Sequence, residues 1–282
     1  MKILAKHLLA ETGDTLITRM DIQAPLIARK ALPGNFVVLI VNEKGERIPL
    51  TVVATDTKRG SVTLIFQEIG FSTKLLGKLD VGDSIYALSG PLGRHTEIKK
   101  YGKVILVGGG VGIAEIYPAA RAFKKKGNHV TTIIGARTKD LLILEEELKK
   151  VSDELHITTD DGSCGRKGFT TDVLKELLAY SLKLKAYSLI YAVGPIPMMK
   201  RISEVSKNSK TKTLVSLNSL MVDATGMCGV CRVTVGGKTK FTCVDGPEFD
   251  AHEVDWDELD KRNRVYTDKE SHICKLYEKR SN

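Results

Sequence analysis

No stretch of this 282-residue chain is long and apolar enough to cross a bilayer. Its longest hydrophobic run, Phe36 to Val41, falls far short of the ~20 residues a spanning helix needs, so no membrane partner is expected. Aromatic residues are scarce, at 6% with a single Trp. None interleaves with the lysine runs, which removes the stacking platform used to bind single-stranded nucleic acid. Five cysteines are too few to staple a chain of this length, and three of them, Cys228, Cys231 and Cys243, crowd into one short segment. Such clustering reads as metal binding rather than disulfides. The opening MKILAKHLLAETGD lacks the unbroken apolar core of a signal peptide, being interrupted by Lys6, His7 and Glu11, and the expectation is a cytoplasmic protein. There is no internal repeat and no low-complexity run.

What is present is ordinary in bulk: 42% hydrophobic and 27% charged residues, as in soluble globular domains. The length suggests two domains, or two and a small appendage. The net charge of +9 raises nucleic acid as a partner. The surplus, however, lies on lysines of the middle of the chain, such as Lys124 to Lys126 and Lys207 to Lys212, while Gly246 to Asp260 carries seven acids and no Lys or Arg. A solvated lysine-rich surface accounts for this, and no nucleic-acid partner is expected.

The hydrophobic pattern divides the chain in three. Residues 1–98 read as short alternating strands between turn signals, a small antiparallel β-barrel interrupted by one helix near Thr73 to Leu79. Strands are expected at 14–19, 35–41, 61–66 and 83–88. Residues 99–212 alternate buried strands with helices, as a parallel α/β sheet does. Residues 213–282 hold the clustered cysteines, a hairpin (Arg232 to Val235, then Lys240 to Cys243) and a polar tail. The fold class is therefore multi-domain, β followed by α/β, with a small cysteine-bearing domain at the C-terminal end.

Three constellations carry chemistry. The turn Gly108 to Gly112, followed by Ile113 and Ala114, joins a buried strand to a helix start, where backbone can approach a phosphate and the helix end favours an anion. Loops after the other strands should reach the same ligand. Arg137 would face an adenosine portion, Asp160 would accept from a ribose hydroxyl and favour NAD over NADP, and Gly194 with Pro195 follow the fourth strand. In the barrel, Arg47 stands before Ile48-Pro49-Leu50-Thr51, and an arginine there can fork a diphosphate. It also reads as a surface arginine ahead of an edge strand. Asp223-x4-Cys228-x2-Cys231-x11-Cys243 has the spacing of plant-type ferredoxin ligation with aspartate in the first position. A three-cysteine zinc site is the alternative, and a zinc-stapled nucleic-acid module is the corresponding alternative function. Cys164 and Cys274 have no partners in sequence.

Together these segments resemble the ferredoxin-NADP reductase superfamily over essentially the whole chain. The likeness is carried by Gly45-Glu-Arg-Ile-Pro-Leu-Thr51, Gln67-Glu-Ile-Gly-Phe-Ser-Thr73, Gly90-Pro-Leu-Gly93, Gly109-Gly-Val-Gly-Ile-Ala114, Thr159-Asp-Asp-Gly-Ser163, Gly194-Pro-Ile-Pro-Met198 and the cysteine motif. It is nearest the branch of dihydroorotate dehydrogenase electron-transfer subunits, and within it the small subunits of NADH-dependent reduced ferredoxin:NADP oxidoreductases, also called sulfide dehydrogenases. The resemblance implies an FAD-binding barrel, an NAD-binding domain and a [2Fe–2S] domain. Arg47 would hold the FAD diphosphate; Pro49, Leu50 and Thr51 would lie along the flavin; Gly70, Ser72 and Thr73 would take its second side. Gly109, Gly110, Gly112, Ile113, Ala114, Gly194 and Pro195 would receive NADH. Asp223, Cys228, Cys231 and Cys243 would ligate the cluster, with no catalytic acid or base required. Aspartate at the first ligand position is of the sulfide-dehydrogenase type, since the dihydroorotate type has cysteine there. The implied partner is a larger FAD and [4Fe–4S] flavoprotein subunit in a heterodimer that bifurcates electrons and reacts with ferredoxin; the alternative is the electron-transfer subunit of an NAD-dependent dihydroorotate dehydrogenase. Glu115 stands where the superfamily commonly has proline, and Val193 where many relatives have cysteine.

Overall fold

The computed structural model describes residues 1–13, 15–181, 187–209, 211–270 and 272–274. Its first third is all antiparallel. Strands β1 (Ile3–Thr12), β2 (Thr15–Gln23), β6 (Ser61–Gln67) and β5 (Ala54–Asp56) form one sheet in the order β1-β2-β6-β5. β4 (Ile48–Thr51), β3 (Phe36–Ile40) and β7 (Ala87–Leu92) form a second. Two short helices, α1 (Pro25–Lys30) and α2 (Phe71–Gly77), close the ends. Alternation along each strand sends one set of side chains inward. Met20, Ile22, Val37, Leu39, Leu64 and Phe66 are thereby buried together between the sheets.

The strand expected over residues 83–88 is displaced. Only the single bridge between Lys2 and Ser84 forms there, and β7 begins at Ala87 and runs on through Gly90 and Pro91. The expected helix lies two residues earlier, at α2. β1 and α1 were not anticipated. β1 mixes Lys6 and His7 with exposed Leu8, so its alternation is broken by bulges in its register with β2.

At Lys103 the pattern changes to α/β. β8 (Lys103–Gly109), α3 (Gly112–Lys125), β9 (His129–Ala136), α4 (Glu145–Val151), β10 (Glu154–Thr159), β11 (Arg166–Lys167), α5 (Thr170–Ser181), β12 (Leu189–Val193), α6 (Ile196–Lys207) and β13 (Lys212–Ser216) follow in turn. Leu182, the last residue of a helix expected over 172–182, residues 183–186, and Lys210 of the lysine run lie outside the described residues. With β16 (Glu248–Asp250) from the last segment, the sheet order is β11-β10-β9-β8-β12-β13-β16, parallel except for its last pair. Val104 and Leu106 pack under α3 with Ile113, Ile116 and Phe123, while Ile105 and Val107 face Leu174 of α5 and Ile202 of α6 on the other side. Strand order runs outward from β8 in both directions, so the reversal falls between β8 and β12, where open α/β sheets take ligands beyond their carboxyl ends.

The last segment is built onto that sheet. β14 (Arg232–Val235) and β15 (Lys238–Phe241) form the expected hairpin, but it ends two residues early: Cys243 sits on the short helix α7 (Thr242–Asp245), not on a strand. β16 (Glu248–Asp250) then pairs antiparallel with β13, matching Val215 with Phe249, and α8 (Trp256–Asn263) packs beneath. Among the described residues no helix is long and apolar enough to cross a membrane.

Candidate functional site

The reversal between β8 and β12 opens into a cleft of about 570 Å³. Three parts of the chain line it. Edge strand β4, paired only with β3, supplies Pro49, Leu50 and Thr51, and the start of α2 supplies Gly70, Ser72 and Thr73. The turn after β8 supplies Gly109, Gly110 and Gly112, and the turn after β12 supplies Gly194 and Pro195. Eleven of the sequence-predicted residues thus meet around one space, although they come from segments as far apart in sequence as 49 and 195.

Two of the glycines explain why the turn is built as it is. A Cβ on Gly112 would lie 2.4 Å from the Val193 carbonyl oxygen, so α3 can start against β12 only without a side chain there. Gly110 has φ +57, and a Cβ on it would meet nothing within 4 Å: its open side belongs to the cleft. Ile113 and Ala114, also predicted for this site, are fully buried in the core beneath the turn and support it from behind.

Other predicted residues lie apart. Arg47 lines an adjoining cavity of about 610 Å³ with Glu46, Ile48 and residues 218–222. Arg137 is exposed and donates to Thr15 Oγ1 at 3.2 Å, tying the loop after β9 to the barrel. Asp160 is exposed just past β10. Its neighbour Asp161 is held below the usual carboxylate range, chiefly by the Ser163 hydroxyl and then by the Ser163 N–H.

The cysteine motif lies directly behind the cleft. Cys231 and Cys243 are buried with their sulfurs 3.2 Å apart, and both are free thiols. Burial, with the Cys231 thiol beside it, pushes Cys243 up to about 12. Cys228 is exposed on the same loop. Asp223 accepts from the Thr225 N–H at 2.8 Å and the Thr225 hydroxyl at 3.0 Å. These contacts, the Cys228 thiol and the charge of Arg47 hold its carboxyl below the usual range. The loop curls because Ala224, Gly226 and Gly229 all take positive φ, at 59°, 81° and 68°. The four side chains thus fall into two pairs, Cys231 with Cys243 and Asp223 with Cys228. Among the described residues no three His, Cys, Asp or Glu side chains surround one point as a single ion requires. Two pairs of donors, one of them the buried thiols of Cys231 and Cys243, match a two-iron centre with two protein ligands on each iron.

Phe36 and Met221 join the two places. Both line the cleft, and both pack in one core with Cys231 and Cys243. The cleft and the thiols thus share one packed core.

The site also contains residues that sequence reasoning missed. Glu115, in the first turn of α3, lines the cleft and accepts from the Thr51 hydroxyl at 2.9 Å. Enclosure by protein raises its proton affinity, which the Thr51 bond partly offsets. Its signal was a lone acid inside Gly-Ile-Ala-Glu-Ile. Glu248 on β16 accepts from Tyr191 Oη at 2.9 Å and from the Thr96 hydroxyl, so residues of all three segments meet at one half-buried carboxyl. Burial raises that carboxyl too, against the pull of the Thr96 and Tyr191 bonds. Nothing local in the sequence marks this meeting. Glu270, Ile273 and Cys274 of the tail also reach the cleft.

Comparison with known proteins bears on both halves of the site. The model for the iron–sulfur cluster binding domain of dihydroorotate dehydrogenase B matches residues 218–255, and that for oxidoreductase NAD-binding domains matches residues 106–204. A Thermotoga maritima protein described as a dihydroorotate dehydrogenase B (NAD(+)) electron transfer subunit homolog is 49% identical over 88% of this chain and 86% of its own. The dihydroorotate dehydrogenase B (NAD(+)) electron transfer subunit of Fusobacterium nucleatum is 32% identical over 84% of this chain and 92% of its own. Among solved structures, a chain of the NADH-dependent reduced ferredoxin-NADP oxidoreductase, studied for flavin-based electron bifurcation, superposes with a TM-score of 0.89 at 45% identity. That match covers 98% of this chain and 97% of the other. Ferredoxin-NADP+ reductase from Plasmodium falciparum, at 16% identity and a TM-score of 0.62 over 77% of this chain and 95% of its own, shares the fold.

Proposed function

This chain belongs to the family of dihydroorotate dehydrogenase B electron-transfer subunits, and from that footing we propose that it passes electrons between NADH, FAD and a [2Fe–2S] cluster as the smaller subunit of a bifurcating NADH-dependent reduced ferredoxin:NADP oxidoreductase. The observation that carries the reading is that Phe36 and Met221 line the cleft and belong to the same packed core as Cys231 and Cys243. A cleft for two ring systems that shares a core with the metal site makes a path for single electrons. The 45% identity to the oxidoreductase chain over nearly all of both chains, and Asp223 in place of a first cysteine, favour this reading over a dihydroorotate-oxidising complex.

When bound, the nicotinamide and flavin supply hydride transfer and the cluster supplies one-electron steps. The chain's own residues bind and orient. Arg47 would fork the FAD diphosphate from the adjoining cavity. Pro49, Leu50 and Thr51 would run along the flavin, with Gly70, Ser72 and Thr73 on its other side. The backbone of Gly109, Gly110 and Gly112, with Gly194 and Pro195, would receive the dinucleotide at the start of α3. Arg137 and Asp160 would lie toward its adenosine end. Cys231 and Cys243 would hold the inner iron, and Asp223 and Cys228 the outer one. Residues 1–98, 99–212 and 213–282 correspond to the three cofactor units. A larger catalytic partner subunit completes the reaction; an FAD and [4Fe–4S] flavoprotein that passes electrons to ferredoxin fits the bifurcating type.

The visible spectrum of the purified chain, with iron and acid-labile sulfide analysis, tests this. Flavin and cluster bands that bleach on adding NADH are expected. A colourless, zinc-containing protein would overturn the reading, and co-purification with an FMN-binding barrel would move it to the dihydroorotate complex.

A further inference from the structure

Hydride and single electrons do not balance without a proton. Each NADH that becomes NAD+ gives up two electrons and one proton together as hydride. A cluster takes the electrons one at a time and takes no proton. Two electrons therefore leave the cleft for each hydride that enters, and one proton is left behind in a space walled by protein.

The cleft holds few groups able to take it. Glu46, which the Ser72 hydroxyl bonds, is exposed and stands at the solvent side of the cleft. Glu270 and Cys274 belong to the tail. Glu115 is fixed on the first turn of α3, and the direction of its one hydrogen bond matters: the Thr51 hydroxyl donates to Glu115 Oε2 at 2.9 Å. That spends the hydroxyl's only proton on the carboxyl and leaves its lone pairs for a donor in the cleft. A proton accepted on the Thr51 oxygen sends the hydroxyl's own proton to Glu115, so the pair is aligned to carry a proton out of the cleft. Thr51 bonds the carboxyl from β4; the Tyr191 phenol of β12, which bonds Glu248, is within reach of its charge but not bonded to it. Burial is the larger influence on the Glu115 carboxyl and raises its affinity for a proton, with the Thr51 bond acting the other way.

We propose that Glu115 is the proton acceptor of the cleft. As two electrons depart singly for the cluster, the proton that arrived with the hydride passes to the Thr51 oxygen, the Thr51 hydroxyl proton passes to the Glu115 carboxylate, and Glu115 later releases it to solvent. The electrons go to the cluster and from there to the partner subunit, so no other oxidant is needed. This rests on the functional reading above and gives a task to an acid that does not hold either nucleotide.

Rapid mixing of the holoprotein with NADH, followed separately at flavin and cluster wavelengths, tests it on three forms. Glu115→Gln keeps the shape and the acceptor for Thr51 but cannot take a proton; Glu115→Asp keeps the carboxyl. Flavin bleaching should be unchanged in Glu115→Gln while cluster reduction slows roughly 10²-fold, the scale of a lost acid–base group, and Glu115→Asp should recover part of that rate. The infrared difference spectrum between oxidised and reduced holoprotein should show a carboxyl band, sensitive to heavy water, that Glu115→Gln lacks. Equal cluster rates in wild type and Glu115→Gln, or a band that survives the substitution, overturns the assignment. Equal slowing of both phases overturns it too, because the residue then only shapes the cleft. A purified chain with no flavin or cluster bands overturns the functional reading, and this proposal with it, before any mixing is done.

Discussion

Arg47 and Asp223 show how far a single residue can be read without neighbours. Arg47 was singled out because a guanidinium before an edge strand can fork a diphosphate, and it lies exposed at a cavity that adjoins the cleft. Arg47→Ala should remove a charge-assisted contact worth about 1.5–3 kcal/mol. FAD should then wash out on dialysis while the iron content stays; full FAD after extensive dialysis would contradict the assignment. Asp223 was legible from spacing alone, since it occupies the first position of a cysteine pattern. Its present contacts are those of a loop cap on Thr225, a role that spacing does not exclude. The two roles separate by spectroscopy. Asp223→Cys should keep a cluster with an altered EPR spectrum and potential, and Asp223→Ala should weaken or lose it. If neither substitution changes the g values or the potential, the aspartate is a cap and the fourth ligand lies elsewhere. Glu115 was visible as an oddity in its motif, but its task needed Thr51, sixty-four positions earlier, to be brought beside it.

Periodic elements were legible where one face, or both, is buried. β8, β9 and β12 were legible because their centres are buried on both faces, at Val104 to Val107, Val130 to Ile134 and Leu189 to Val193, and α3 because its apolar stripe meets the sheet. β1 was missed because bulges break its alternation, and α1 because a six-residue helix opening on Pro25 gives little period to read. β7 was placed too early because the apolar run at 85–88 precedes the pairing, which β3 dictates. A tight joint against backbone lies where α3 starts against β12. Gly112→Ala would put a methyl group 2.4 Å from the Val193 carbonyl oxygen, and backbone there cannot rotate aside. About 1–3 kcal/mol of stability should be lost through overpacking. Denaturant unfolding should show this as a lower midpoint, and dinucleotide affinity should fall with it. An unchanged midpoint would mean that the helix start is looser than its glycine suggests.

Across the whole molecule, what sequence could not supply is how the three segments close on one another. The Tyr191–Glu248–Thr96 meeting has one residue in each, and it carries a titration consequence. The Glu248 carboxyl is raised in the folded chain, mainly by burial, so the folded state binds more protons than the unfolded one between the ordinary carboxylate value and the raised one. Stability contributed by this group is therefore present below the ordinary value and is lost as pH rises through the raised one. Glu248→Gln keeps an acceptor for Tyr191 and Thr96 and has no charge to bury. Its thermal midpoint should match wild type in acid and exceed it increasingly toward neutral pH; a difference that does not vary with pH would show that Glu248 is not the group concerned.

The pairing of β16 with β13 sets an order of events during synthesis. Until Glu248 to Asp250 leave the ribosome, β13 has an uncovered edge, with Leu214 and Val215 waiting for partners that come more than thirty residues later. An open parallel-sheet edge of that kind templates association with other chains. Residues 218–255, which match the iron–sulfur cluster binding domain, span that interval, so most of the cluster-binding segment is made while the edge is still bare. Chains stopped between residues 217 and 247 are thus the ones most exposed to self-association, and for this protein synthesis of the cluster-binding segment and escape from aggregation fall in the same interval of translation.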